Sequence, residues 1–164
     1  MTRIYLPATF STLAALHSAG EVSTASAHAV TAALRDWYEG VDEEDLEYVA
    51  FCNAAADAFG RLAEETDAVP RRVVIAADMP ARHVDVSDTE AHSGVSVAET
   101  VPLANVAAVH VDGTEAGEAV SAAVLALKSA AVDPAGAQEA LAEADDFELE
   151  WYDPTELAQL VEQP

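Results

Sequence analysis

His83-x-Asp85 and His110-x-Asp112 each set an imidazole and a carboxylate two residues apart, a spacing that on extended backbone turns both side chains to one face. Nitrogen and carboxylate donors from two such segments suit Zn²⁺, Mn²⁺ or Fe²⁺. Three of them with one open coordination position would make a hydrolytic centre. Asp88, Glu90 and His92 lie between the two pairs. One reading is therefore a small metal-dependent hydrolase on His83, Asp85, His110 and Asp112, with a divalent metal such as zinc or manganese as cofactor. Thirty acidic residues among 164 also bring a histidine near an aspartate by chance. The leading expectation accordingly takes no cofactor, with His110 a half-buried strand residue and His83 and His92 in a solvated loop.

Three further leads are weighed the same way. Asp78 closes the most apolar run of the chain, where open α/β sheets place ligand-binding groups. Standing before Met79-Pro80, it reads first as a turn former. Cys52 lies among Phe51, Ala54, Ala55 and Ala56 in a helical pattern, with acids rather than bases nearby. A lone, buried, non-nucleophilic thiol in a reducing compartment is expected. Trp37-Tyr38 and Trp151-Tyr152 have the character of interface anchors, although a chain with two Trp and four Phe is expected to spend them in its core. No Gly-x-Gly-x-x-Gly, Gly-Lys-Ser/Thr, His-Glu-x-x-His or Gly-x-Ser-x-Gly pattern is present. Acids at 112, 115 and 118 would repel a phosphate from the turn at Gly113.

The elements that must position these residues follow from periodicity. Residues 4–6 read as a first strand and 10–19 as a helix closed by Gly20. Residues 26–34 read as a second strand, with His28, Val30, Ala32 and Leu34 on one face. A long helix is expected over 42–65, capped by Asp42, with Glu43, Glu44 and Asp45 complementing its dipole. Its inward stripe reads Leu46, Val49, Asn53, Ala56, Phe59, Ala63. The run 73–77 is a buried central strand. After a polar stretch over 80–94, strands are expected over 95–101 and 107–111. Asp112 followed three residues later by Glu115 reads as a reciprocal cap for a helix over 114–129. Asp133-Pro134 opens another helix, 147–151 is a late strand, and Asp153-Pro154-Thr155-Glu156 caps a last helix.

These elements predict one α+β domain over 1–164, a sandwich with a mixed or antiparallel sheet and helices packed on it. Residues 3–65 and 107–162 echo each other in element order, each with a Trp-Tyr pair, which suggests two ferredoxin-like βαβ units. The net charge is −23, and the 36 residues after Lys128 hold ten carboxylates and no Lys or Arg. Such a balance repels phosphate backbones and anionic lipid, so nucleic acid and membrane are not expected as partners. No stretch has the length of a membrane span or the pattern of a secretion signal, and a cytoplasmic protein is expected.

The segments Ala29-Val30-Thr31-Ala32-Ala33-Leu34-Arg35-Asp36-Trp37-Tyr38, Glu43-Glu44-Asp45-Leu46-Glu47-Tyr48, Arg71-Arg72-Val73-Val74-Ile75-Ala76-Ala77-Asp78, Ala108-Val109-His110-Val111-Asp112 and Glu150-Trp151-Tyr152 resemble a family of small acidic, alanine-rich proteins of unknown function from high-GC actinobacteria. The likeness runs along nearly the whole chain and implies a cytosolic bacterial protein. It carries over no activity and no catalytic residue. The function expected is a non-catalytic interaction or regulatory module whose acidic surface meets a basic protein partner, with Trp37, Tyr38, Trp151 and Tyr152 as interface candidates and the metal hydrolase as the alternative.

Overall fold

A computed structural model describes residues 1–24, 26–87 and 89–164. In chain order the elements are β1 (Thr2–Ala8), α1 (Phe10–Ala19), β2 (Glu21–Val22), β3 (Ser26–His28), α2 (Ala32–Trp37), α3 (Glu43–Glu64), β4 (Val73–Met79), β5 (Val84–Val86), β6 (Gly94–Val97), β7 (Val101–Pro102), β8 (Val106–Asp112), α4 (Gly117–Lys128), α5 (Pro134–Asp145), β9 (Leu149–Tyr152) and α6 (Leu157–Glu162). Seven strands form one sheet in the order β5-β6-β3-β1-β4-β8-β9, and β2 pairs with β7 in a separate ribbon. Every pairing among the described residues is antiparallel. The α+β expectation holds, with a sheet that is antiparallel throughout the described residues and helices packed on it. The echoing aromatic pairs differ in setting, since Trp37 ends a helix and Trp151 lies in a strand.

Helices cover both faces. On one, Phe10, Leu13 and Leu16 of α1 and Leu157 and Leu160 of α6 pack on Ile4, Leu6, Val73, Ile75, Val109 and Val111. On the other, Leu46, Ala50, Ala54 and Ala55 of α3 pack on Tyr5, Val74, Ala76 and Ala108. The far half of α3 buries Phe59 and Leu62 against Val120 and Ala123 of α4 and Ala144 of α5. No helix of the described residues is long and apolar enough to cross a membrane.

Local chemistry sets most boundaries. Thr9 and Thr12 close a reciprocal cap at the start of α1, and Gly20 ends it at φ +75°. Asp133 accepts from the Gly136 amide, and Asp153 and Glu156 complete a capping box ahead of α6. Asp42 precedes α3 but makes no side-chain cap; the acids Glu43, Glu44 and Asp45 fill the first turn. Three other expectations are corrected. Residues 26–34 do not form one strand, because Thr31 caps α2 by accepting from the Leu34 amide and turns the chain. The inward stripe of α3 is Leu46, Ala50, Ala54, Ala55, Ala58, Phe59 and Leu62, while Ala56 faces solvent. The strand expected over 95–101 divides into β6 and β7, and β5 lies within the polar stretch before it.

Candidate functional site

Strand register brings several chemistry-bearing residues to the face beneath α3. Arg3 pairs with Asp78 and Tyr5 with Ala76 across β1 and β4. Ala76 then opposes Ala108 and Val74 opposes His110 across β4 and β8. His110 opposes Trp151 on β9. Two alanines in the middle of this floor are too small to fill the space between α3 and the segment from the end of α5 into β9. The result is a cleft of about 630 Å³. Tyr48, Phe51 and Cys52 of α3 form one wall, and Phe147, Leu149 and Trp151 the other. Phe51 is its aromatic hub, meeting Tyr5 edge-on at 6.1 Å, Tyr48 in a stack at 6.1 Å and His110 edge-on at 4.7 Å.

Both arginines that reach the cleft are already neutralised. Arg3 donates Nε and Nη2 to the two oxygens of Asp78 at 2.8 and 3.0 Å, a bidentate fork of the strong kind. That hydrogen bond raises the guanidinium's pKa and holds the Asp78 carboxyl below its ordinary value. Arg72, 1% exposed, donates to both oxygens of Asp112 at 2.9 Å and to Asp145 at 2.9 Å. It also reaches the carbonyls of Ala144 and Phe147 and lies 4.9 Å from the Phe59 ring centre. Glu44, Glu47 and Glu148 on the rim have no ion-pair partner among the described residues. Burial, and next the nearby Arg3, hold the His110 imidazole below its ordinary pKa. Burial, and next Glu47, raise the Tyr5 hydroxyl. Desolvation of its cleft side raises the Cys52 thiol, partly offset by a hydrogen bond with Tyr48. A neutral imidazole, a protonated thiol and two neutral phenols thus line a pocket whose remaining charge is negative.

Of the residues singled out in the sequence, the structure brings Asp78, His110, Asp112 and Trp151 to one face and scatters the rest. His83 ends a 3₁₀ turn and Asp85 lies on β5, at the opposite side of the sheet from β8. Five strand spacings, roughly 24 Å, separate them from His110 and Asp112. The four cannot share an ion, and no group of three His, Cys, Asp or Glu is gathered for a metal among the described residues. Asp112 is not a helix cap, since Gly113 occupies that position and the Asp112 carboxylate is committed to Arg72. Asp78 is no turn former; it lies inside β4 and pairs with Arg3. Cys52 is exposed rather than buried. Trp37 and Trp151 are 66% and 59% exposed, against the expectation that they fill the core, and Tyr38 is exposed as well; Tyr152 is half-buried and bonds Glu150. Asp88 lies outside the described residues, and Glu90 is exposed.

A second cluster had no local signal at all. His28 Nε2 meets Asp57 at 2.5 Å, its Nδ1 meets Ser93 Oγ at 2.7 Å, and Asn53 donates to the same hydroxyl at 2.8 Å. The order is that of a Ser-His-Asp relay. However, Ser93 is fully buried and lines none of the clefts described, so its hydroxyl is enclosed by the fold. The cluster instead ties β3 and α3 to the segment before β6. Next to it, His92 holds φ +61°, Thr31 bonds its carbonyl, and Trp37 stacks on its ring at 4.5 Å. Those contacts hold a left-handed conformation that a non-glycine residue seldom adopts.

Comparisons with curated proteins and with solved structures return no match. A family model does match, over residues 2–161, almost the whole of the domain just described. The chain therefore belongs to DUF6912, a family of unknown function.

Proposed function

We propose that this protein is a non-catalytic interaction module whose cleft beneath α3 receives a basic segment of a partner protein. One observation carries the reading: the cleft is walled by Tyr5, Tyr48, Phe51 and Trp151 and rimmed by Glu44, Glu47 and Glu148, while its own arginines are paired internally. Aromatic faces attract cations, most strongly where water is partly excluded, and carboxylates at the rim steer a basic chain toward them. A long Arg or Lys stem lies along the apolar wall with its charge at the rim. The same field repels nucleic-acid phosphates.

Calorimetric titration with a hexa-arginine peptide tests it. Binding is expected at low ionic strength and weakens as salt rises past about 0.15 M, where the Debye length falls to about 8 Å. Replacing the three rim glutamates together (Glu44→Gln, Glu47→Gln, Glu148→Gln) is expected to weaken binding about tenfold, from roughly 0.5 kcal/mol for each exposed charge. Binding that ignores both salt and these substitutions would overturn the proposal.

A further inference from the structure

The open edge of β9 lies directly beside this cleft. β9 ends the seven-stranded sheet, pairs only with β8, and presents its other edge without a strand among the described residues. In an antiparallel strand every second residue turns its N–H and C=O toward that free side, where an incoming chain can bond them. The usual defences of an edge are proline, lysine, a bulge or a covering helix. Leu149-Glu150-Trp151-Tyr152 has neither of the first two, and its register with β8 runs without a shift.

The two sides of this edge are what select a partner. Trp151 and Leu149 point into the cleft beneath α3, next to Glu148. Glu150 and Tyr152 point the other way, into a second groove of about 470 Å³ whose carboxylates are Glu115, Glu150 and Glu156. Arg71 at its base is engaged with the carbonyls of Asp112 and Gln163. Successive residues of a strand project to opposite faces. A chain laid along β9 therefore sends neighbouring side chains into two different grooves, and both grooves are acidic.

We infer that the free edge of β9 takes up an extended segment of a partner protein as an eighth strand, and that the segment carries two consecutive basic residues, one for each groove. The inference rests on the basic-partner reading above and adds its geometry. A second copy of this chain is the poorer occupant, because an edge flanked by Glu148 and Glu150 in a molecule of charge −23 repels itself. Four of the carboxylates involved, Glu148, Glu150, Glu156 and Asp145, belong to the lysine- and arginine-free stretch after Lys128.

The test uses the intact protein and two eight-residue peptides. Both have arginine at the two central positions flanked by threonine and valine, and the second is N-methylated at its four central residues. N-methylation removes the inter-strand donors and leaves charge and side chains in place. Strand addition predicts that the methylated peptide binds at least about tenfold more weakly, the equivalent of one to two lost hydrogen bonds. It also predicts that isotope-edited infrared spectra of the parent peptide gain an extended-strand amide band on binding. Equal affinity of the two peptides, with hexa-arginine still bound, overturns strand addition and leaves the basic-partner reading standing. Failure of hexa-arginine and of both peptides overturns both. A dimer at micromolar concentration by light scattering overturns the choice of occupant, since the second copy would hold the edge.

Discussion

His110 makes the stability of the cleft sensitive to acid. Its ring packs edge-on to Phe51, and burial, with the positive charge of Arg3 second, holds its pKa below the ordinary value. The imidazole of the unfolded chain takes up a proton near pH 6.5, before the folded one does. The contribution of His110 is therefore complete above about pH 6.5 and is lost as pH falls through the lower, folded value. Denaturant midpoints of the wild type and His110→Gln at about pH 7.5 and pH 5.5 check this: the difference between the two proteins is expected to shrink in acid, and a constant difference would refute it. Asp78 works in a separate window. Its carboxyl is lowered by Arg3, so its contribution is present above about pH 3.9 and disappears as pH falls further. Two-fifths exposed, the pair is partly screened, and its share is small beside that of an enclosed pair.

Between elements, the Arg72 guanidinium is the staple that joins the start of β4, the end of β8 and the end of α5. It bonds Asp112, Asp145 and the carbonyls of Ala144 and Phe147. Asp112→Ala would leave that guanidinium enclosed without its main counter-charge, a loss of about 3–5 kcal/mol. Replacing both partners by apolar residues of similar size (Arg72→Met, Asp112→Leu) is expected to restore most of it. Urea unfolding of the single and double variants decides: a single-variant cost under about 1 kcal/mol would show that the pair does not hold these elements together. No local pattern announces this pair, because its partners are forty residues apart and Asp112 also satisfies the spacing of a capping box with Glu115. The long helix α3 and the apolar run of β4 were legible, since each shows a sustained period or an unbroken apolar stretch. The inward face of α3 was not, because alanine occurs on all sides of it. The alternation of His28, Val30, Ala32 and Leu34 mimicked a strand that Thr31 in fact interrupts. Within the cleft, His110, Asp78 and Trp151 stood out by type. Their shared face, and the roles of Arg3, Tyr5, Tyr48 and Phe51, depend on pairings far apart in the chain.

For the whole molecule, a charge of −23 places like charges close together on a small surface, and self-repulsion opposes the compact state. The core nevertheless closes on both faces of the sheet, so the fold is expected to persist at about 10 mM salt and to gain a few degrees in Tm as salt reaches about 0.15 M. Circular dichroism melts across that range check it. Loss of secondary structure at low salt would mean instead that the acidity is an adaptation to concentrated brine. The place of β1 in the sheet has a consequence for biosynthesis. Thr2–Ala8 lies in the middle, between β3 and β4, and its longest pairing is with Val73–Met79. At about 5–20 residues per second, a ribosome delivers that partner several seconds after Ile4, Tyr5 and Leu6 have emerged. For that interval β1 lacks the partner of its longest edge and leaves apolar backbone open, the kind of segment that chaperones hold.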